Sequence, residues 1–238
     1  PRSSLFFGTD KTAGVYLYDL KGVKQSFSPL GAINNIDVRQ KNLEIYLAAT
    51  NRSNQSIEYW VIDQDTFFAN THESQDIFSL SKRAFSIASS IDIYGICIGM
   101  IGGTPVAFVT EDRGPRVELW TLENQKLIGA FDNGGESEGC VFDDENKTLF
   151  ISEEETNGVL KAYDLKQFIR KRLNEKLAEL GYFDLGQYFA YDADAESNLN
   201  WFKHLTGGVT HTDFFAVRPT DYSKAGEGED FEDMWDSW

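Results

Sequence analysis

A repeated strand pair is the feature that most restricts how this chain can fold. Four segments share one plan: SLFFGTDKTAGVYLYDL, LEIYLAATNRSNQSIEYWVID, VAFVTEDRGPRVELWTLE and LFISEEETNGVLKAYDL. In each, a short apolar run meets polar or acidic residues, and a second run closes on an aromatic followed by Leu or Ile and an acidic residue, or a near variant. The marker aromatics Tyr18, Trp60, Trp120 and Tyr163 are separated by 42, 60 and 43 residues. Periods of roughly 40–50 residues with recurring aromatic marks belong to β-propeller blades. A β-sandwich built from similar hairpins is the competing reading. A propeller gathers equivalent strand ends around its central channel, so Asp10-Lys11, Asn51-Arg52, Glu111 to Arg113 and Glu153 to Glu155 are expected to converge in a mixed cup of carboxylates and cations.

Composition narrows the function. At 238 residues, 41% hydrophobic and 14% aromatic, the chain can bury one substantial core but not two large domains. A net charge of −16 argues against a nucleic-acid partner, whose backbone is bound through Lys and Arg. It suits cations, or substrates that arrive with them. The stretch ESEGCVFDDENKTLFISEEE, residues 136–155, sets eight carboxylates around the apolar residues Val141, Phe142, Leu149, Phe150 and Ile151. It is either a solvated loop or a group that shares a cation. Cys97 and Cys140 lie 43 positions apart without a C-x-x-C pair, which gives zinc little support. One disulfide and two buried thiols both remain open. No apolar run reaches the ~18 residues a spanning helix needs, so no membrane partner is expected. Residue 1 opens in mid-pattern with no charged-then-apolar leader, as in a mature or trimmed soluble chain.

After residue 165 the character changes. LKQFIRKRLNEKLAEL, residues 165–180, spaces Leu165, Phe168, Ile169, Leu173, Leu177 and Leu180 as one face of a helix. The end, GEGEDFEDMWDSW, reads as an acidic solvated tail. The expected organisation is a propeller region over 1–165 with about four blades, and a segment over 166–238, made of a helix, an irregular region and the tail, that packs on it.

Several linked motifs carry a resemblance. GTDKTAGVYLYDLKG, INNIDVR, AATNRSN, IYGICIG, AFVTEDRG, SEGCVFDDE and FISEEE-x-NGV-x-x-YDL occur in the order and approximate spacing of the β-propeller phytases, the calcium-dependent alkaline 3-phytase family. The resemblance covers about residues 1–165. It implies an all-β, six-bladed propeller whose top face holds Ca²⁺ and binds inositol hexakisphosphate or lower inositol phosphates, one phosphate being attacked by metal-activated water while a neighbour sits in an adjacent site. Such chemistry relies on positioning and charge neutralisation, and an acidic protein suits it because the metal reverses the local sign.

Matched position by position, the resemblance implies catalytic roles for Glu138, Glu154, Lys11 and Arg52, with Glu138, Glu153 and Glu154 at the calcium cluster. Tyr94, Asp10 and Arg113 are expected to line the substrate site, and Asn34, Asn35, Ile36 and Asp37 to hold a structural calcium. Export from the cell follows from the family and from calcium use. There are departures. The family's acidic D-D-P-A-I-W motif, expected before residue 1, is absent, Thr12 stands where a second lysine belongs, and Arg113 in TEDRG stands near its N-D-K lysine. The chain therefore resembles the incomplete N-terminal domain of a tandem member, which implies a second phytase domain as partner. The alternative function is a non-catalytic calcium and inositol-phosphate binding domain.

Other phosphatase routes lack their residues. No R-H-G-x-R-x-P motif is present, Cys140 has Glu145 rather than an arginine five positions on, and Asp192, Asp194 and Glu196 begin an EF-hand pattern that lacks its glycine and has Lys203 in place of the closing glutamate.

Overall fold

The computed structural model describes residues 4–70, 76–154, 157–166 and the backbone of 183–184. Among the described residues, fifteen short strands form four sheets, antiparallel except for one short parallel pair, with one α-helix and one 3-10 helix between them. The first contains β1 (Leu5–Asp10), β2 (Gly14–Asp19) and β3 (Lys24–Ser28). The second contains β4 (Ile33–Lys41), β5 (Glu44–Asn51), β6 (Ser56–Asp63) and β7 (Arg83–Ala88). The third contains β8 (Ile93–Ile101), β9 (Thr104–Glu111), β10 (Arg116–Thr121) and β11 (Lys126–Asp132). The fourth contains β12 (Ser137–Asp143), β13 (Thr148–Glu153) and β14 (Leu160–Asp164). The two-residue β15 (Phe183–Asp184) pairs in parallel with β11.

Side-chain alternation decides between the two expected architectures. In β5, Ile45, Leu47 and Ala49 pack toward the first sheet, whereas Tyr46 and Ala48 pack toward the third. In β9, Ala107 and Val109 pack toward the second sheet, whereas Val106 and Phe108 pack toward the fourth. A sandwich has one inter-sheet core. Here three cores succeed one another, so the second and third sheets bury both faces, and their strands read as continuous apolar runs. The chain is all-β, with four meander sheets stacked as propeller blades. Among the described residues they form an open fan rather than a closed ring.

The marker aromatics occupy equivalent places. Trp60, Trp120 and Tyr163 lie on β6, β10 and β14, each the third strand of its blade. The 60-residue interval arises because α1 (Gln64–Asn70) and the 3-10 helix (Ile77–Leu80) are inserted between β6 and β7. They cover the first inter-blade core with Phe67, Ile77 and Phe78.

Cys97 of β8 and Cys140 of β12 form a disulfide with a Cα–Cα distance of 5.6 Å, which answers the question the sequence left open. The helix expected over 165–180 and the remainder of the 166–238 segment lie outside the described residues, apart from the start of that region and β15.

Candidate phosphate and cation site

Three inner strands carry the same irregularity. β4, β8 and β12 each shift register near their start, between Ile33 and Ile36, Ile93 and Ile96, and Ser137 and Cys140. Bulges re-aim side chains, and these three place Asn34, Tyr94 and Glu138 at one level of neighbouring blades. The neighbouring second strands fasten each bulge with a hydroxyl. Thr50 Oγ1 accepts from Asn35 N–H at 3.2 Å and donates to the Tyr94 carbonyl at 2.5 Å. Thr110 Oγ1 accepts from Gly95 N–H at 2.8 Å and donates to the Glu138 carbonyl at 3.2 Å. Ser152 Oγ accepts from Gly139 N–H at 3.3 Å, and Thr9 Oγ1 donates to the Asn34 carbonyl at 3.0 Å. Glycine is required at 95, where a Cβ would stand 2.3 Å from the Glu138 carbonyl oxygen.

This ladder sets the register of the hairpin tips: Thr9-Asp10-Lys11, Thr50-Asn51-Arg52, Thr110-Glu111-Asp112 and Ser152-Glu153-Glu154 are equivalent. The third position of each supplies the cup. Lys11 Nζ and Arg52 Cζ stand 5.4 and 5.5 Å from the centroid of the Tyr94 ring, within cation–π range. Arg52 Nη2 donates to Asp112 Oδ2 at 2.7 Å. Burial and the adjacent Glu154 carboxylate push the Glu138 carboxyl up to about 7, against the pull of Lys11 and the Tyr94 hydroxyl. The Tyr94 hydroxyl is itself raised, by burial and by Glu138. Lys11, Arg52, Tyr94, Glu138 and Glu154 thus come together from four blades.

The remaining expected residues have other engagements. The second position of each tip holds its own turn or a neighbour. Asp10 Oδ1 accepts from Thr12 N–H, Thr12 Oγ1 and Ala13 N–H, and these bonds lower its pKa. Glu153 pairs with Lys161 and accepts from Asn133 and Val159. Arg113 is exposed at a left-handed turn position with φ of 56°, and among the described residues no hydrogen bond or ion pair joins it to the cup. Asp112, not Arg113, occupies the equivalent tip position. The expected span 111–113 contains it, but sequence reasoning gave the role to Arg113; aligning the hydroxyl residues of the four tips singles out Asp112.

Within NNID, Asp37 accepts from Arg39 Nη1, Val38 N–H and Ile98 N–H. Arg39 continues to Asp144 and the Phe142 carbonyl, so this network laces β4, β8 and β12 together. Asn34 donates to the Asn35 side chain and to the Tyr94 carbonyl, while Ile36 pairs with Ala49 across the ladder.

Among the buried side-chain atoms without a hydrogen-bond partner, two belong to residues at the bulge level: Asn34 Oδ1 and Glu138 Oε2. Buried acceptors of this kind are costly unless a donor or cation meets them. Among the described residues no group of three or more His, Cys, Asp or Glu is arranged to hold a metal. The carboxylates of Glu138 and Glu154 fit a hard cation in kind, but supply fewer than the six to eight oxygens that Ca²⁺ takes.

No helix among the described residues is long and apolar enough to cross a membrane. The phytase family model matches residues 1–164. A 3-phytase of Bacillus subtilis (strain 168) is 27% identical over 172 residues, covering 65% of this chain and 43% of that protein. The chain thus spans less than half the length of this relative. A probable ribonucleoside-diphosphate reductase small subunit 048L of Invertebrate iridescent virus 3 is 38% identical over 66 residues, 28% of this chain and 16% of that protein. Among solved structures, a nidogen/laminin complex aligns with a TM-score of 0.46 at 14% identity, over 68% of this chain and 57% of that one. The match over residues 1–164, on a chain whose four blades bring the matched motifs to one cup, identifies this protein as a member of the phytase family.

Proposed function

We propose that this chain contributes the substrate cup of a phosphoric monoester hydrolase acting on inositol hexakisphosphate or less phosphorylated inositol phosphates, with Ca²⁺ as cofactor. The convergence of Lys11 and Arg52 on Tyr94, beside the Glu138 and Glu154 pair, carries this reading. A substrate dense in phosphate needs fixed cations, and Lys11 and Arg52 offer an ammonium point charge and a planar guanidinium fork. Asp112 engages one nitrogen of this fork and competes with phosphate for its charge.

Glu138 and Glu154 would hold the calcium ion. When bound, the ion neutralises phosphate charge and acidifies a coordinated water. The disulfide between Cys97 and Cys140 supports export to an oxidising compartment. A second phytase domain in the same protein is the proposed partner.

Phosphate release from sodium phytate at about pH 7–8, with Ca²⁺ and with a chelator, tests the reading for the chain and for Glu138→Ala. Calcium-dependent release abolished by the substitution supports it. No release while phytate still binds assigns the chain a non-catalytic, phosphate-binding role.

A further inference from the structure

Further along from the cup the inner strands β4, β8 and β12 meet a second time, and the meeting point is one guanidinium. Val38, Ile98 and Phe142 each lie four residues beyond Asn34, Tyr94 and Glu138, so they share a level roughly 10–13 Å down their strands. Arg39 Nη1 donates to both oxygens of Asp37, at 3.0 and 3.1 Å, and to the Val38 carbonyl at 2.9 Å. Its Nε donates to Asp144 Oδ2 at 3.1 Å, and its Nη2 to the Phe142 carbonyl at 3.0 Å. The two carboxylates in turn hold the inner edge of β8: Ile98 N–H donates to Asp37 Oδ2 at 2.8 Å, and Met100 N–H donates to Asp144 Oδ1.

Oxygens of two carboxylates and two carbonyls thus surround one fixed cation, as they would a metal ion, with arginine in the metal's place. Asp37, expected from the sequence to hold a structural calcium, accepts from Val38 N–H, Ile98 N–H and Arg39 Nη1, which occupies the four lone-pair positions of its carboxylate. None is left for an ion. Lysine is no equivalent, because a point charge with three donors cannot span acceptors on separate strands that a planar fork with five N–H groups reaches. The hub also has work that the hydroxyl ladder does not do. Thr50 and Thr110 set the height of one inner strand against its neighbour, whereas Arg39 sets how closely the three converge. Without it, Asp37 and Asp144 are left as uncompensated, partly buried like charges that push β4 and the end of β12 apart.

We propose that Arg39 is a positioning residue for the cup, given the phosphate reading of that cup: it is the internal cation whose fork sets the spacing of β4, β8 and β12, and through them the approach of Tyr94 to Glu138. Displacement of a binding group by about 1 Å costs up to about a hundredfold in function. A side chain that touches no substrate therefore controls how well Lys11, Arg52 and Glu138 meet one.

The test titrates the full chain, Arg39→Ala and Arg39→Lys with micromolar sodium phytate and Ca²⁺ in a calorimeter, each below its melting transition. A folded Arg39→Ala that binds about tenfold more weakly, and regains affinity saturably with millimolar guanidinium chloride but not with sodium chloride at equal ionic strength, supports the proposal. Recovery that trimethylamine N-oxide reproduces, by raising Tm without entering the hub, overturns it. If Arg39→Ala does not fold, Arg39→Lys decides: weaker binding by the fully folded variant supports the proposal, and parental binding overturns it. Unchanged affinity in folded Arg39→Ala refutes the positioning role alone, whereas a parent that does not bind phytate refutes the phosphate reading of the cup and the proposal with it.

Discussion

Glu138→Gln is expected to stabilise the protein while disabling its site, and only above a defined pH. The folded-state pKa of Glu138 stands at about 7 against an ordinary 4.5, because burial and Glu154 both disfavour its charge. A carboxyl raised in the folded state contributes stability below its unfolded pKa, and that stability is lost as pH rises through the folded value. The full shift corresponds to at most about 3 kcal/mol. Glu138 is only partly buried, and solvent screening reduces this to about 1–2 kcal/mol. Glutamine keeps the shape and removes the charge. In chelator at pH 8 the variant should therefore melt about 2–8 °C above the parent, and at pH 5 most of that difference should be gone. Adding Ca²⁺ should raise the parent by mass action and leave the variant nearly unmoved. Differential scanning calorimetry at pH 5, 6.5 and 8, with EDTA and with Ca²⁺, measures all of this. A variant no more stable than the parent at pH 8 in EDTA, or a gain of equal size at pH 5, would refute the argument that the two carboxylates are held in repulsion.

Other perturbations follow from the same geometry. Gly95→Ala places a Cβ 2.3 Å from the Glu138 carbonyl oxygen, which should cost about 2–4 kcal/mol and abolish phosphate release, both read from a melt and a phytate assay. Reducing the Cys97–Cys140 bridge opens a 43-residue loop, and Tm in dithiothreitol should fall by the equivalent of about 3–4 kcal/mol. Asp112→Asn releases the Arg52 guanidinium from its ion pair, so inhibition by inorganic phosphate should strengthen by about threefold. Thr110→Val removes the hydroxyl that joins Gly95 N–H to the Glu138 carbonyl; activity should drop by about tenfold or more, and Thr110→Ser should restore it.

The blade pattern was legible because its physics is local. A strand buried on both faces must be continuously apolar, as LEIYLAAT and PVAFVT are, and a repeated aromatic on the third strand marks each blade. Lys11, Arg52 and Glu154 were likewise reachable, since they sit at equivalent tips of a repeat, whereas Tyr94 and Glu138 were implied only by the resemblance. Arg113 was selected over Asp112 because charge type suggested a lysine substitute, whereas the ladder hydroxyl at Thr110 sets the register one residue earlier. Asp10 was expected to line the substrate site and Asp37 and Glu153 to hold calcium, and a carboxylate reads the same in sequence whether it faces solvent, a turn or a guanidinium. Only their bonds to the Thr12 turn, Arg39 and Lys161 distinguish them.

By itself the sequence determined the all-β character, the four blades over residues 1–165 and the acidic field. Those properties follow from periodicity and composition, which are written along the chain. The tertiary structure alone decided which carboxylates share a site, which cations meet over Tyr94, and that Cys97 and Cys140 are bonded. Each depends on register between strands distant in sequence. A shift of one residue turns a side chain to the opposite face, and here a bulge and a single buried hydroxyl per blade set that register.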